Sequence, residues 1–236
     1  CDLPSSAYAV AAAEADPRVL AAVAIHPNEA PGLIAEGTFE AAMAALDEMA
    51  QRPRVRAIGE TGLDYFRTDE SGRDAQQESF RRHIRLAKEH GLALQIHDRD
   101  AHEDVLRVLA EEGADLTKVV IGHSGDSVDL DYLMKLADAG SILGMDRFGL
   151  DLLLPFDERV NTVAELCRRG YADRMALAHD AACFIDWFDH EAKKQALPKW
   201  NYRHISEEVL PSLRERGVSE ADITTMLVDV PRRYFE

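Results

Sequence analysis

The chain has 236 residues, 46% of them apolar, enough for one sizeable α/β domain, and no run approaches a membrane span. Its formal net charge of −16 argues against a broad phosphate-binding face, so nucleic acid is a disfavoured partner. Three cysteines (Cys1, Cys167, Cys183) are too few for a disulfide framework, and no charged-then-apolar leader is seen; a reducing, cytoplasmic setting is expected.

In chain order, the pattern predicts a helix over Ala7–Ala15 and a strand over Val19–Ile25, ending at His26-Pro27. A helix over Phe39–Gln51 precedes a strand Val55–Glu60 and a loop Thr61–Gly72. A long amphipathic helix, Asp74–His90, stops at Gly91 before a strand Leu92–His97. Helix Glu103–Glu112 leads to strand Val119–His123, helix Leu130–Ala139 and strand Ser141–Met145. Helix Glu158–Arg169 precedes strand Met175–Asp180, a loop Ala181–Asn201, and helices near Glu207–Arg216 and Glu220–Val228. Such alternation implies a parallel sheet with helices outside it. The six strand signals are two fewer than a closed (β/α)8 TIM barrel needs, the deficit lying at the front.

Four of these runs end on a metal-ligand type: Glu60, His97, His123 and Asp180. Barrels keep their chemistry at the carboxyl ends of their strands, and imidazole with carboxylate suits a divalent cation. A strand-end His can instead be a hydrogen-bonded core residue, and that reading competes at His97 and His123. His179 precedes Asp180 and so points to the other side of its strand, in a supporting role. Asp64 and Tyr65 are expected to shape the loop after Glu60, and His26 is divided between cleft-lining and structural roles. His83, His90, His102, His190 and His204 fall on helices or loops and are taken as surface residues.

Two sets of motifs resemble known families. Ala24-Ile-His-Pro-Asn-Glu-Ala30, Ala57-Ile-Gly-Glu-Thr-Gly-Leu-Asp-Tyr-Phe66, Gln77-x-x-Phe80 and Gln95-Ile-His-Asp-Arg-Asp-Ala101 resemble the TatD family of metal-dependent deoxyribonucleases. That likeness runs to about Gly113. From about Ala114 the chain resembles the phosphotriesterase family, in particular its lactonase-like branch. The motifs are Val119-Val-Ile-Gly-His-Ser-Gly-Asp126, Gly144-Met-Asp-Arg-Phe-Gly-Leu-Asp151, Gly170-Tyr-Ala-Asp-Arg174, His179-Asp180, Ile185-Asp-Trp187 and Pro231-Arg-Arg-Tyr-Phe235. Both families belong to the amidohydrolase superfamily of metal-dependent barrels. The resemblance implies one hydrolase domain over residues 1–236, TatD-like across residues 1–113 and phosphotriesterase-like across residues 114–236.

It also implies roles. Glu60 would bridge two metals, His97 and His123 would ligate the second, and Asp180 would bind the first and accept the proton of the attacking water. Arg147 and Trp187 would line the substrate pocket, with His26 beside them. One or two divalent ions are implied, zinc first and magnesium, manganese or cobalt as alternatives. The substrate expected is a small ester: a lactone, carboxylester or phosphotriester. The runner-up is a TatD-type deoxyribonuclease or phosphodiesterase. Both families carry a His-x-His pair on the first strand, and this sequence has none. The start just beyond the second strand therefore leaves a third reading, a catalytically impaired barrel fragment that self-associates.

Overall fold

In a computed structural model, which describes residues 1–182 and 189–236, the chain is an α/β protein with six parallel-type strands. Its contacts gather into two compact units, residues 1–121 with 234–236, and residues 122–233.

In the first unit, strands β1 (Ala21–Val23), β2 (Val55–Asp64), β3 (Ala93–Arg99) and β4 (Val119–Ile121) pair in parallel in that order. The predicted alternation is thus observed, because parallel strands covered by crossover helices read as continuous apolar runs. Helix α1 (Leu3–Ala15) starts on a capping box of Asp2 and Ser5, and Ser6 Oγ reaches the backbone of Ala24 at 3.2 Å. A short helix α2 (Ala30–Ala35) lies where the sequence suggested only a connection. Helix α3 (Phe39–Ala50) buries Phe39, Ala42, Met43, Leu46 and Ala50, an apolar stripe at helical spacing. Helix α4 (Glu70–His90) is capped by Asp69 and ends at Gly91, and α5 (His102–Glu111) follows β3.

Three departures from the expected elements bear on function. β1 stops short of Val19 and Leu20, which are solvent-exposed. β2 continues four residues past Glu60, so Thr61 to Asp64 are strand and not loop. The cause is pairing: Thr61, Gly62, Leu63 and Asp64 stay in register with Ile96, His97, Asp98 and Arg99. Helix α4 also starts at Glu70, ahead of the predicted Asp74.

His83, expected on the surface, is fully buried, as is most of His204. His83 lies on the inward stripe of α4 with Gln76, Phe80, Ile84 and Ala87. Its Nε2 accepts the Ile25 N–H at 3.0 Å, and its Nδ1 bonds the Ser79 carbonyl at 2.7 Å. Burial lowers its pKa from 6.5 to about 4. With the folded pKa below the unfolded one, neutral His83 contributes stability that is complete above 6.5 and is lost as the pH falls toward 4. The loss is expected to reach about 3 kcal/mol. Urea midpoints of wild type and His83→Gln between pH 7.5 and 4.5 would measure it. The gap between the two proteins should shrink steadily on acidification, and a constant gap would refute this account.

In the second unit, β5 (Ile142–Met145) and β6 (Met175–Leu177) pair in parallel, flanked in sequence by α6 (Leu130–Asp138) and α7 (Phe156–Arg168). Helix α8 (His190–Ala196) occupies a portion of the predicted Ala181–Asn201 loop. The helical stretch after it begins at Ile205, earlier than Glu207, and packs Ile205, Val209 and Leu213 inward. Among the described residues, no helix is long and apolar enough to cross a membrane.

Candidate metal centre

In the first unit the site is built by the way β2 approaches β3. Between Ile58 and Thr61 the register slips, so β2 carries an extra residue opposite Leu94 to Ile96. The slip is possible because Gly59 and Gly62 lack side chains. A Cβ on Gly59 would stand 2.3 Å from Gln95 Cβ, and one on Gly62 would stand 2.2 Å from the His97 carbonyl oxygen. The bulge brings both carboxylates of β2, Glu60 and Asp64, onto the ring of His97.

Glu60 Oε1 lies 3.3 Å from His97 Nδ1, and Glu60 Oε2 lies 3.7 Å from His26 Nε2. His26 Nε2 and His97 Nδ1 are 3.3 Å apart, their rings edge to face. The three donors lie within 4.8 Å of one another. Ligands bound to one tetrahedral zinc at its usual bond lengths stand about 3.4 Å apart, so these separations fit a single cation. On the far side of the His97 ring, Nε2 bonds Asp64 Oδ2 at 3.2 Å. That carboxylate fixes the ring and increases its basicity, as outer carboxylates do behind metal-bound imidazoles.

Asp64 is buried and well held. It accepts from Asn28 Nδ2 at 3.0 Å and from the Arg67 N–H at 2.9 Å, while its own N–H donates to Gln76 Oε1 at 2.9 Å. Burial pushes its carboxyl up, but the hydrogen bonds from His97, Asn28 and Arg67 outweigh this and hold it far below the usual carboxylate range. For His26, burial and then the neighbouring His97 push the pKa down to about 3, so the ring is neutral at working pH. Asp64 therefore does more than shape a loop: it braces His97, a candidate ligand. The Cys1 thiol also reaches this region, accepting the Glu60 N–H at 3.5 Å.

In the second unit the remaining candidates follow the strands rather than end them. His123 lies two residues beyond β4's last residue, Arg147 two beyond β5 and Asp180 three beyond β6. All three have left-handed backbones, with φ of 62°, 60° and 48°. Non-glycine residues rarely take this conformation, and such strain clusters at functional sites.

Asp146 holds His123 twice, accepting its N–H at 2.9 Å and bonding Nδ1 at 3.2 Å. His123 Nε2 is then left as the acceptor, and Arg147 Nη2 meets it at 3.0 Å. Arg147 also pairs with Asp180 Oδ2 at 2.9 Å and Asp126 Oδ2 at 2.8 Å. Asp180 Oδ2 lies 4.0 Å from His123 Nδ1. The structure thus brings His123, Arg147 and Asp180 into one network, with the guanidinium as its cation. Burial lowers the Arg147 pKa, but Asp180, Asp146 and Asp126 more than reverse that.

Behind them, fully buried Arg159 donates from Nη1 to the Gly125 and Asp146 carbonyls at 2.6 and 2.9 Å and to Asp126 Oδ1 at 2.7 Å. It clamps the two loops that carry His123 and Arg147. The sequence reading missed both Asp146 and Arg159. Asp146 could have been found from its place one residue after β5; nothing in the pattern around Arg159 marked it. Trp187 and Cys183 lie outside the described residues.

An imidazole–carboxylate cluster on parallel strands of an α/β fold defines the metal-binding barrel proteins as a class. The chain belongs to the phosphotriesterase family, whose model matches residues 68–235, beginning well upstream of Ala114. It is 54% identical to the phosphotriesterase homology protein of Mycobacterium tuberculosis (strain H37Rv) over 133 residues, 56% of this chain and 41% of that protein. It is also 42% identical to the uncharacterized metal-dependent hydrolase TatD of the same organism over 146 residues, 58% of this chain and 53% of that one. The solved phosphotriesterase of M. tuberculosis superposes with a TM-score of 0.67 at 43% identity, covering 76% of this chain and 54% of the other. The chain thus resembles both families and shares the barrel-type fold, while spanning about half the length of these relatives.

Proposed function

We propose that the chain acts as a divalent-metal-dependent hydrolase of ester-type bonds, with a lactone, carboxylester or phosphotriester as substrate. The cluster of His26, Glu60 and His97, with Asp64 bracing His97, carries this reading. Membership of the phosphotriesterase family supports it. A bound cation would polarise the substrate's carbonyl or phosphoryl oxygen and bring the pKa of a water from about 16 to about 7.

The chain's own groups have distinct tasks. Glu60 and His97 would hold a cation in the first unit. His123 and Asp180 are assigned to metal binding in the second. Asp180 would accept a proton from the attacking water, and Arg147 and Trp187, the latter outside the described residues, would contact the substrate. Mixed imidazole and carboxylate donors favour zinc, with manganese, cobalt and magnesium as alternatives.

The likeness to the TatD relative favours a second reading, a phosphodiesterase acting on DNA. The net charge of −16 speaks against it. One preparation, supplied with zinc, freed of excess and analysed for metal by emission spectroscopy, then assayed on lactones, phosphotriesters and single-stranded DNA, separates them. Bound zinc with turnover of the small esters is expected. Turnover of DNA alone would establish the runner-up, and a chain that binds no metal would be the inactive fragment.

A further inference from the structure

Behind His97, the residues Gln76, Thr68, Asn28 and Asp64 close a ring of hydrogen bonds. Gln76 is fully buried on α4, and its Oε1 accepts the Asp64 backbone N–H at 2.9 Å. A backbone N–H can only donate, so the Gln76 amide is fixed one way round and its Nε2 faces Thr68. That nitrogen donates to Thr68 Oγ1 at 2.7 Å and also reaches the Asp64 carbonyl at 3.4 Å. The Thr68 hydroxyl, having accepted, donates to Asn28 Oδ1 at 3.3 Å. Asn28 Nδ2 then donates to Asp64 Oδ2 at 3.0 Å, and Oδ2 is the oxygen that meets His97 Nε2 at 3.2 Å. The bonds thus follow one another in a single direction around the ring, so each polarises the next.

The direction depends on Thr68, whose hydroxyl accepts and donates through one oxygen. Its methyl is seated on α4: a Cβ on Gly72 would stand 2.5 Å from Thr68 Cγ2, so the glycine leaves room for this side chain. We propose that Thr68 and Asn28 are positioning residues of the metal centre, holding the Asp64 carboxylate on His97 and so setting the strength of His97 as a donor. This deepens the metal-hydrolase reading above and rests on it. Both residues act through Asp64. Without the Thr68 hydroxyl, nothing in the ring fixes the Asn28 amide, which can then turn its oxygen toward Asp64. Two acceptors would face each other, and the carboxylate would be pushed off the imidazole.

Zinc affinity, read on the full chain by competition with a chromophoric chelator, separates this role from a general loosening of the loop. Thr68→Val keeps the shape and the methyl beside Gly72 and removes only the hydroxyl. It should weaken zinc binding about tenfold, as the loss of an outer partner of a metal-bound imidazole does. Thr68→Ser keeps the hydroxyl and should bind zinc as the wild type does. Asn28→Ala breaks the ring at its next bond and should match Thr68→Val, so it carries the comparison if Val at position 68 prevents folding. Asp64→Ala removes the group through which both act. Adding Thr68→Val to it should leave zinc affinity within about twofold of Asp64→Ala alone.

Zinc affinity unchanged in Thr68→Val and Asn28→Ala would overturn the inference and leave the hydrolase reading standing. A further loss of about tenfold on top of Asp64→Ala would overturn it too, because Thr68 would then support the fold and not the carboxylate. A wild type that takes up no zinc would bring down the hydrolase reading, and this inference with it.

Discussion

Gly62→Ala is expected to yield little folded protein. Gly62 has a φ of 137°, and an added Cβ would stand 2.2 Å from the His97 carbonyl oxygen and 3.0 Å from the His97 nitrogen. The obstacle is backbone in the middle of the β2–β3 ladder, so no rotamer relieves it. Separating the strands would also break the pairing that positions Glu60 and Asp64 on His97. The combined conformational strain and clash should cost about 4 kcal/mol or more, a large share of the stability of a typical domain. Gly32→Ala is the matched control: it sits in α2 with nothing within 4 Å of an added Cβ. There the substitution should be neutral or stabilise by up to about 1 kcal/mol. Urea unfolding followed by circular dichroism reads both. A Gly62→Ala protein within about 1 kcal/mol of wild type would mean that β2 and β3 do not approach so closely.

The second large effect falls on turnover. Asp180→Asn keeps the size of the side chain but removes the carboxylate that is to hold a cation and receive a proton. Hydrolysis of the responsive ester should drop by about 10²- to 10⁴-fold, the usual worth of a positioned proton acceptor. The same change strips Arg147 of one of its carboxylate partners, Asp126 remaining at 2.8 Å. The circular dichroism spectrum should therefore be retained, and it must be checked before rates are compared. Activity that survives the change would remove Asp180 from the mechanism.

The order of strands and helices was legible in the sequence because a parallel strand covered on both faces is a short apolar run closed by punctuation. Val119 to Ile121 is wholly buried, and Met175 to Leu177 nearly so, as such runs require. Glu60 and His97 were legible for the same reason, each ending or punctuating a run. The inward place of His83 was within reach as well: its spacing from Gln76, Phe80 and Ala87 is that of a buried helical stripe.

What the sequence by itself determined is the sequence of elements and the residue types that carry chemistry, since periodicity and strand-end position are properties of neighbours along the chain. Only the tertiary structure decided how those residues are held. That β2 runs on to Asp64, that Asp64 braces His97 and that Arg159 clamps the Asp126 and Asp146 loops all depend on a strand register or on partners 13 to 33 positions apart. The exception in span is Asn28 on His26, two residues away, where the backbone turn alone aims the N–H. Hydrogen bonds at a few ångströms are set by which backbones can approach, and here two glycines on β2 allow that approach.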